Sequence, residues 1–316
     1  KPVRILVDST VDLPERCRAQ VRAVPLTLHF GDEELIDGVT IDRRRFYERL
    51  IESDVLPTTS QATPAAFVKE FEAVRQAGES AVVITISAEL SGTYQSACIA
   101  AADYEDIYVV DSRSAAIGSG ILAELALEWA ADGMAAAELA GLLTKKRDDI
   151  CLLGLLDTLE YLRRGGRISR TAALAGGLLG IKPVVTLENG AVTMIGKARG
   201  SKQGNNLLVQ KVRESGGIDF SLPILLGYTG LSDALLQKYV EDSAALWRDH
   251  CGSLEQTLLC SVIGTHTGPG VVAVAFFQRT GADPTVFLLG CQNRIDISFC
   301  TLFQIFIVQQ ICQRDK

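Results

Sequence analysis

The sequence predicts an α/β fold in two domains: an N-terminal, mostly parallel α/β sheet with flanking helices, then a C-terminal α+β domain with hairpins. Three observations predict it. Apolar runs alternate with helical segments from Val3 to Ala131, the order that builds a parallel sheet covered on both faces. Small polar residues lie at the carboxyl ends of those runs: Asp8-Ser9, Ser87 and Asp111-Ser112. Near residue 150 the alternation gives way to paired strand-like runs around Glu188-Asn189-Gly190, a turn suited to positive φ and so to a hairpin. The predicted organisation is 1–149, 150–277 and an atypical extension over 278–316.

Val3 to Val7 is a short apolar run and reads as the first strand. Val24 to Phe30 mixes β-branched and aromatic residues and reads as the second. Thr63 is placed to cap a helix with Pro64 at its first position and Phe67, Phe71 and Val74 along one face. Ala81 to Ile86 and Ile107 to Val110 are two more strands, with helices over Ser91 to Ala102 and Ile121 to Ala131. Asp157 to Arg164 is a short helix stopped by Gly165-Gly166. Val184 to Leu187 and Ala191 to Ile195 are the hairpin strands. Pro223 to Tyr228 and Val271 to Phe277 are strands on either side of a long amphipathic helix, Ser232 to Trp247. From Gln278 onward the chain has no Glu, three of the eight Cys and four of the eleven Phe. Ile295 to Val308 is too short and too polar for a membrane span, which leaves an extra packed element or a poorly ordered or non-native extension.

Hydrophobic residues at 47% and charged residues at 22% allow a sizeable core. A net charge of -7 argues against a general grip on nucleic acid, which needs a basic stripe. Eight scattered cysteines without a CxxC pair, and three histidines, support neither a zinc site nor a disulfide framework, so a cytoplasmic setting is expected. The opening Lys1-Pro2-Val3-Arg4 lacks the apolar core of a signal peptide. The sequence contains no P-loop, no GxGxxG after the first strand and no GxSxG elbow.

Three stretches rich in hydroxyls and glycine stand out: Pro57-Thr58-Thr59-Ser60-Gln61, Ser91-Gly92-Thr93-Tyr94-Gln95-Ser96 and His266-Thr267-Gly268-Pro269-Gly270. The first two precede predicted helices, and the second directly follows a predicted strand. Free N–H groups and small hydroxyls receive an anion in such a place, and the helix start carries about half a positive charge. Thr59, Ser60, Ser91, Gly92 and Thr93 are therefore candidate anion-binding residues; the plain alternative is a loop and a turn without a ligand. Arg167 and His266 could reach the same anion, or be a surface salt-bridge partner and a structural histidine. Lys197, Arg199 and Lys202 gather three positive charges in six residues, extended by Arg163, Arg164 and Arg170. They form either a solvated face or a docking surface for an acidic partner. The Gly-punctuated run from Leu174 to Pro183 lines a dry slot or is ordinary core.

In family order and over about residues 3 to 277, these motifs resemble the DegV family of bacterial fatty-acid-binding proteins. The matching stretches are Val7 to Thr10, Pro57 to Gln61, Leu90 to Ala97, Val110 to Ser112, Leu156 to Ile168, Ile181 to Pro183, Gly196 to Gly200 and His266 to Gly270. The resemblance implies one long-chain fatty acid buried between two domains. Thr59 and Ser91 bond its carboxylate, with Arg167 and His266 at the same polar end. It implies a carrier with no cofactor and no catalytic set of its own. Its partner is a fatty acid kinase that phosphorylates the bound acid for phospholipid synthesis, and Lys197, Arg199 and Lys202 look like the kinase-facing surface. Family chains stop soon after the strand near Phe277, so 278–316 inherits no role. The competing reading is an enzyme acting on a small phosphorylated or acidic metabolite at the same strand-end site. A long apolar cavity beyond the anion site supports the lipid; a short polar one supports the metabolite.

Overall fold

The computed structural model describes residues 1–168 and 180–279. The chain opens on β1 (Val3–Asp8), the one-turn helix α1 (Glu15–Arg18) and β2 (Arg22–Val24). β3 (Thr27–Phe30), β4 (Glu33–Ile36), α2 (Arg43–Glu52) and β5 (Thr58–Ser60) follow. Then come α3 (Pro64–Gln76), β6 (Ser80–Thr85), α4 (Thr93–Ala101), β7 (Ile107–Asp111), α5 (Ala116–Ala131) and α6 (Ala136–Lys146). The cap expected at Thr63 is present: its side chain accepts the N–H of Ala66, and Pro64 sits where its missing N–H is not needed. β2, β1, β6 and β7 form a parallel sheet in that order. Every residue of β6 is buried, as a central parallel strand covered on both faces must be.

Val24 to Phe30 is not a single strand. Pro25, which lacks an N–H, divides it. β2 ends at Val24 in the parallel sheet, and β3 belongs to a separate antiparallel sheet of order β4-β3-β5. That small sheet, α2 and α6 are additions to the predicted elements.

The second half runs β8 (Ile150–Leu155), α7 (Glu160–Arg164), β9 (Ile181–Glu188), β10 (Ala191–Arg199) and α8 (Gly200–Glu214). It continues through β11 (Leu225–Tyr228), α9 (Ala234–Asp242), α10 (Ala244–Trp247), β12 (Gln256–Leu258), α11 (Ser261–Thr267) and β13 (Val272–Phe277). A six-stranded sheet of order β10-β9-β8-β13-β11-β12 results, antiparallel except at β11–β12. The predicted hairpin turns through Asn189 (φ 51) and Gly190 (φ 86), the two positive-φ positions of a type I′ turn. The long helix expected over Ser232 to Trp247 is broken at Ser243, which ends α9 and caps α10, and its hydroxyl accepts from the Trp247 indole at 2.8 Å. The basic stretch is the end of β10 followed at once by α8.

The larger sheet divides two apolar layers with the period of two that a strand imposes. Val272, Val274 and Phe276 of β13 share one core with Leu208, Leu236 and Tyr239; Ala273, Ala275 and Phe277 join the core that holds the parallel sheet. Residues 1–279 thus make one compact unit. The position 149/150 falls between the 3-10 turn Arg147–Asp149 and β8. Arg170, the run from Leu174 to Leu179 and the extension beyond Arg279 lie outside the described residues. Among the described residues no helix is long and apolar enough to cross a membrane, and no group of three acidic, His or Cys side chains is placed to hold a metal ion.

Candidate functional site

One cavity of about 370 Å³ brings together side chains from both halves of the chain. That volume falls in the range of about 300–1,000 Å³ usual for small-molecule sites. Its apolar wall follows from strand alternation. On β8, Leu152 and Gly154 face the cavity, and Leu156 continues the series, while Cys151, Leu153 and Leu155 face the other core. Val185 and Leu187 of β9 and Val192 of β10 extend the wall. Leu26, Ile86 and Ile263 add further apolar surface.

Polar groups converge at one part of this cavity. β5 has Thr58 and Ser60 exposed and Thr59 half-buried between them, so the alternation turns Thr59 inward. Thr59 Oγ1 lies 2.8 Å from Nε2 of His266, which sits in the last turn of α11. α11 is anchored beside α2, where the Tyr47 hydroxyl donates to the carbonyl of Leu259 at 3.1 Å. Burial first, then the charge of Arg167, pulls the His266 pKa down to about 4, so the imidazole is neutral near pH 7. Its Nδ1 is buried and has no partner among the described residues. A buried orphan N–H is rarer than a buried orphan acceptor, which assigns the single proton to Nε2 and makes His266 the donor to Thr59.

A hydroxyl beside an imidazole is also how a nucleophile is activated. Among the described residues no third group orients the ring from Nδ1, and the ring is a weak base. The pair holds the Thr59 hydroxyl against the imidazole.

Ser91 and Gly92 line the cavity at the start of α4, with Gly92 as the N-cap. The side-chain amide of Gln61 lies over Gly92, where a Cβ would overlap Oε1, and Gln61 Nε2 donates to Ser96 Oγ at 2.8 Å. Glycine here lets the loop after β5 close onto the helix start. Ser60 also lines the cavity, and its Oγ lies 2.8 Å from Nε2 of His29. Arg167 lines it too, and its partners are backbone carbonyls: Nε donates to Leu90 at 3.1 Å and Nη1 to Gly165 at 2.5 Å.

Thr93 departs from expectation. It has no accessible surface and does not line the cavity; its Oγ1 lies 2.9 Å from Ser91 Oγ and accepts the N–H of Ala62 at 3.3 Å. Asp8 and Asp111 are the last residues of β1 and β7 and do not line this cavity: Asp8 accepts from Thr10 and Ile86, and Asp111 from Ala88 and Arg113. Lys197 and Arg199 on β10 and Lys202 in the first turn of α8 are exposed, and none of them lines the cavity. Thr186 and the apolar wall are cavity residues that motif reading missed, and Gln61, inside the Pro57 to Gln61 motif, is a further one that it did not single out. The alternation along β8 and β9 carried the signal for the wall.

The family model described as "Uncharacterised protein, DegV family" matches residues 2–279. A DegV domain-containing protein of Caldanaerobacter subterraneus is 33% identical over 287 residues, covering 88% of this chain and 99% of the relative. Among solved structures, a DegV family protein from Thermus thermophilus, described by its fatty acid binding, has a TM-score of 0.78 at 29% identity, covering 88% of this chain and 100% of its own. A DegV lipid binding protein from Thermotoga maritima has a TM-score of 0.79 at 26% identity, covering 89% of this chain and 100% of its own. The matched span takes in both large sheets and every described residue of the cavity. This chain belongs to the DegV family.

Proposed function

We propose that this chain binds a long-chain fatty acid in the cavity between its two halves, 1–149 and 150–277, and presents the carboxylate to a partner fatty acid kinase. One observation carries the reading: apolar walls from β8, β9 and β10 and the hydroxyls of Thr59 and Ser91 belong to the same cavity. A small phosphorylated metabolite would leave that wall unused. An alkyl tail gains about 0.8 kcal/mol for each CH₂ buried against it. The carboxylate loses several kcal/mol of hydration unless hydrogen bonds replace water, and the two hydroxyls with the start of α4 replace it. Arg167 adds positive charge at the same end, with its guanidinium already tied to two carbonyls. The binding described for the Thermus and Thermotoga relatives supports the same ligand class.

The kinase supplies the catalysis in this reading, and Lys197, Arg199 and Lys202 form the surface it meets. All three are exposed and form no ion pair among the described residues. Lys197 and Arg199, two apart on β10, point the same way. A cytoplasmic setting fits Cys17, Cys98, Cys151, Cys251 and Cys260, all free thiols. The test is native mass spectrometry of protein purified from cells, with extraction of bound lipid. One fatty acid per chain is expected, and it should be absent from the Thr59→Val/Ser91→Ala double variant. Wild-type protein that neither carries a fatty acid nor binds added hexadecanoate would overturn the reading.

A further inference from the structure

Ser91 lines the cavity and Thr93 lies directly behind it. Their hydroxyl oxygens are 2.9 Å apart, and distance alone lets either one donate to the other. Burial decides the direction. Thr93 Oγ1 already accepts the N–H of Ala62. If Ser91 also donated to it, the Thr93 proton would have no partner and no water to reach, and an unmade hydrogen bond in the interior is strongly disfavoured. If Thr93 donates, it is satisfied on both sides. Ser91 Oγ then accepts twice, from the Thr93 hydroxyl and from the Thr93 N–H at 3.3 Å, which fills both of its lone pairs. Only its own proton remains for a ligand in the cavity that Ser91 lines.

His266 acts on Thr59 in the same sense, since its Nε2–H donates to Thr59 Oγ1 and leaves the Thr59 proton free. Both hydroxyls at the polar end are thereby set as donors before a ligand arrives. A carboxylate, which only accepts, satisfies both. An alcohol brings a proton of its own, and Ser91 Oγ, with both lone pairs already filled, offers it no acceptor.

We infer that Thr93 is a positioning residue that fixes Ser91 as a hydrogen-bond donor and so makes the site select an ionised carboxylate over an alcohol on the same alkyl chain. The inference rests on the fatty-acid reading of the cavity. The relay is local: Ala62 N–H to Thr93 Oγ1, Thr93 O–H to Ser91 Oγ, Ser91 O–H to the ligand.

The experiment measures dissociation constants for hexadecanoate and 1-hexadecanol with wild type, Thr93→Val and Thr93→Ser. Wild type should favour hexadecanoate, and Thr93→Val, which keeps the shape and loses the hydroxyl, should lower that preference about tenfold or more. Thr93→Ser restores the hydroxyl and should restore the preference. A packing role alone would weaken both ligands together and leave their ratio unchanged; an unchanged ratio in Thr93→Val, or a collapsed one in Thr93→Ser, overturns the inference. If Thr93→Val does not fold, Thr93→Ala reads the same ratio. Wild type that binds neither compound removes the fatty-acid reading and the inference with it. Wild type that binds hexadecanoate while Thr93→Val keeps the wild-type ratio removes the inference alone.

Discussion

Ser87 Oγ donates to the carbonyl oxygen of Gly190 at 2.8 Å and ties the turn of the β9–β10 hairpin to the end of β6. The hairpin carries Val185, Leu187 and Val192 of the cavity wall, so this bond fastens that wall to the parallel sheet. Ser87 has no accessible surface, and Gly190 combines a φ of 86 with a Cβ position that would overlap Ser87 Oγ. Ser87→Ala orphans a buried carbonyl and should cost about 1–3 kcal/mol. Gly190→Ala breaks the same contact and adds backbone strain of about 1 kcal/mol or more. Both variants should melt below wild type, Gly190→Ala lower of the two, and both should release a bound fluorescent fatty acid faster. Equal melting temperatures for Gly190→Ala and wild type would show that the turn is not held by this contact.

Gly154 marks a place where the cavity depends on an absent side chain. A Cβ built there meets Leu156 Cδ1 at 3.3 Å and Val185 Cγ2 at 3.5 Å, so alanine is nearly accommodated. Leucine at the same position has no room except in the cavity, which Gly154 lines. Gly154→Ala should bind hexadecanoate nearly as wild type does. Gly154→Leu should lose it by about tenfold or more while keeping shorter acids, because a blocked tail forfeits roughly 0.8 kcal/mol per excluded CH₂. Titration with a series of acyl lengths checks this. Equal loss at every length would point to a damaged fold and not to a shortened cavity.

What could be read from the residues, and what could not, follows from how each signal is stored. The runs Ile5 to Val7 and Ala81 to Ile84 are continuous and apolar because parallel strands are buried on both faces. Asn189-Gly190 announces its turn by chemistry alone. The small sheet leaves no such trace, since β5 has three residues and β4 has no buried one. α11 is seven residues of Ser, Val, Ile, Gly, Thr and His, which are poor helix formers, and packing overrides that preference. The approach of His266 to Thr59 spans 207 residues, and no local pattern encodes it. Ser91 and Thr93 look alike in the motif; only burial separates the residue that lines the cavity from the one that stands behind it.

The basic surface can be tested apart from the cavity. Arg199 is exposed, does not line the cavity, and its backbone N–H is held by Gln203 Oε1 at 3.3 Å. Arg199→Glu reverses a charge beside Lys197 and Lys202 without touching the apolar wall. Fatty acid affinity should stay within about twofold, since the change is at an exposed site away from the ligand. Phosphorylation of the bound acid by a fatty acid kinase should slow, by about tenfold at low salt and by less at high salt, because screening weakens charge steering. Unchanged phosphorylation at low salt would remove this face as the docking surface.

His266 links stability to pH with a defined sign. Burial and the Arg167 charge hold its folded-state pKa near 4, against about 6.5 for an unperturbed histidine. Between those values the unfolded chain binds a proton that the folded chain refuses. The contribution therefore falls as pH drops from about 6.5 to about 4 and is constant above about 7. Asp8, Asp12 and Asp37 act in the opposite direction: burial raises their pKa values, so the folded chain takes up protons first and gains stability on acidification. The raw pH curve mixes these effects, and comparison with His266→Gln isolates one of them. Between about pH 7 and about pH 4.5 wild type should lose about 2–3 kcal/mol relative to His266→Gln in urea unfolding. Parallel curves for the two proteins would mean that the imidazole accepts a proton in place, and the assignment of His266 as a neutral donor to Thr59 would then fail.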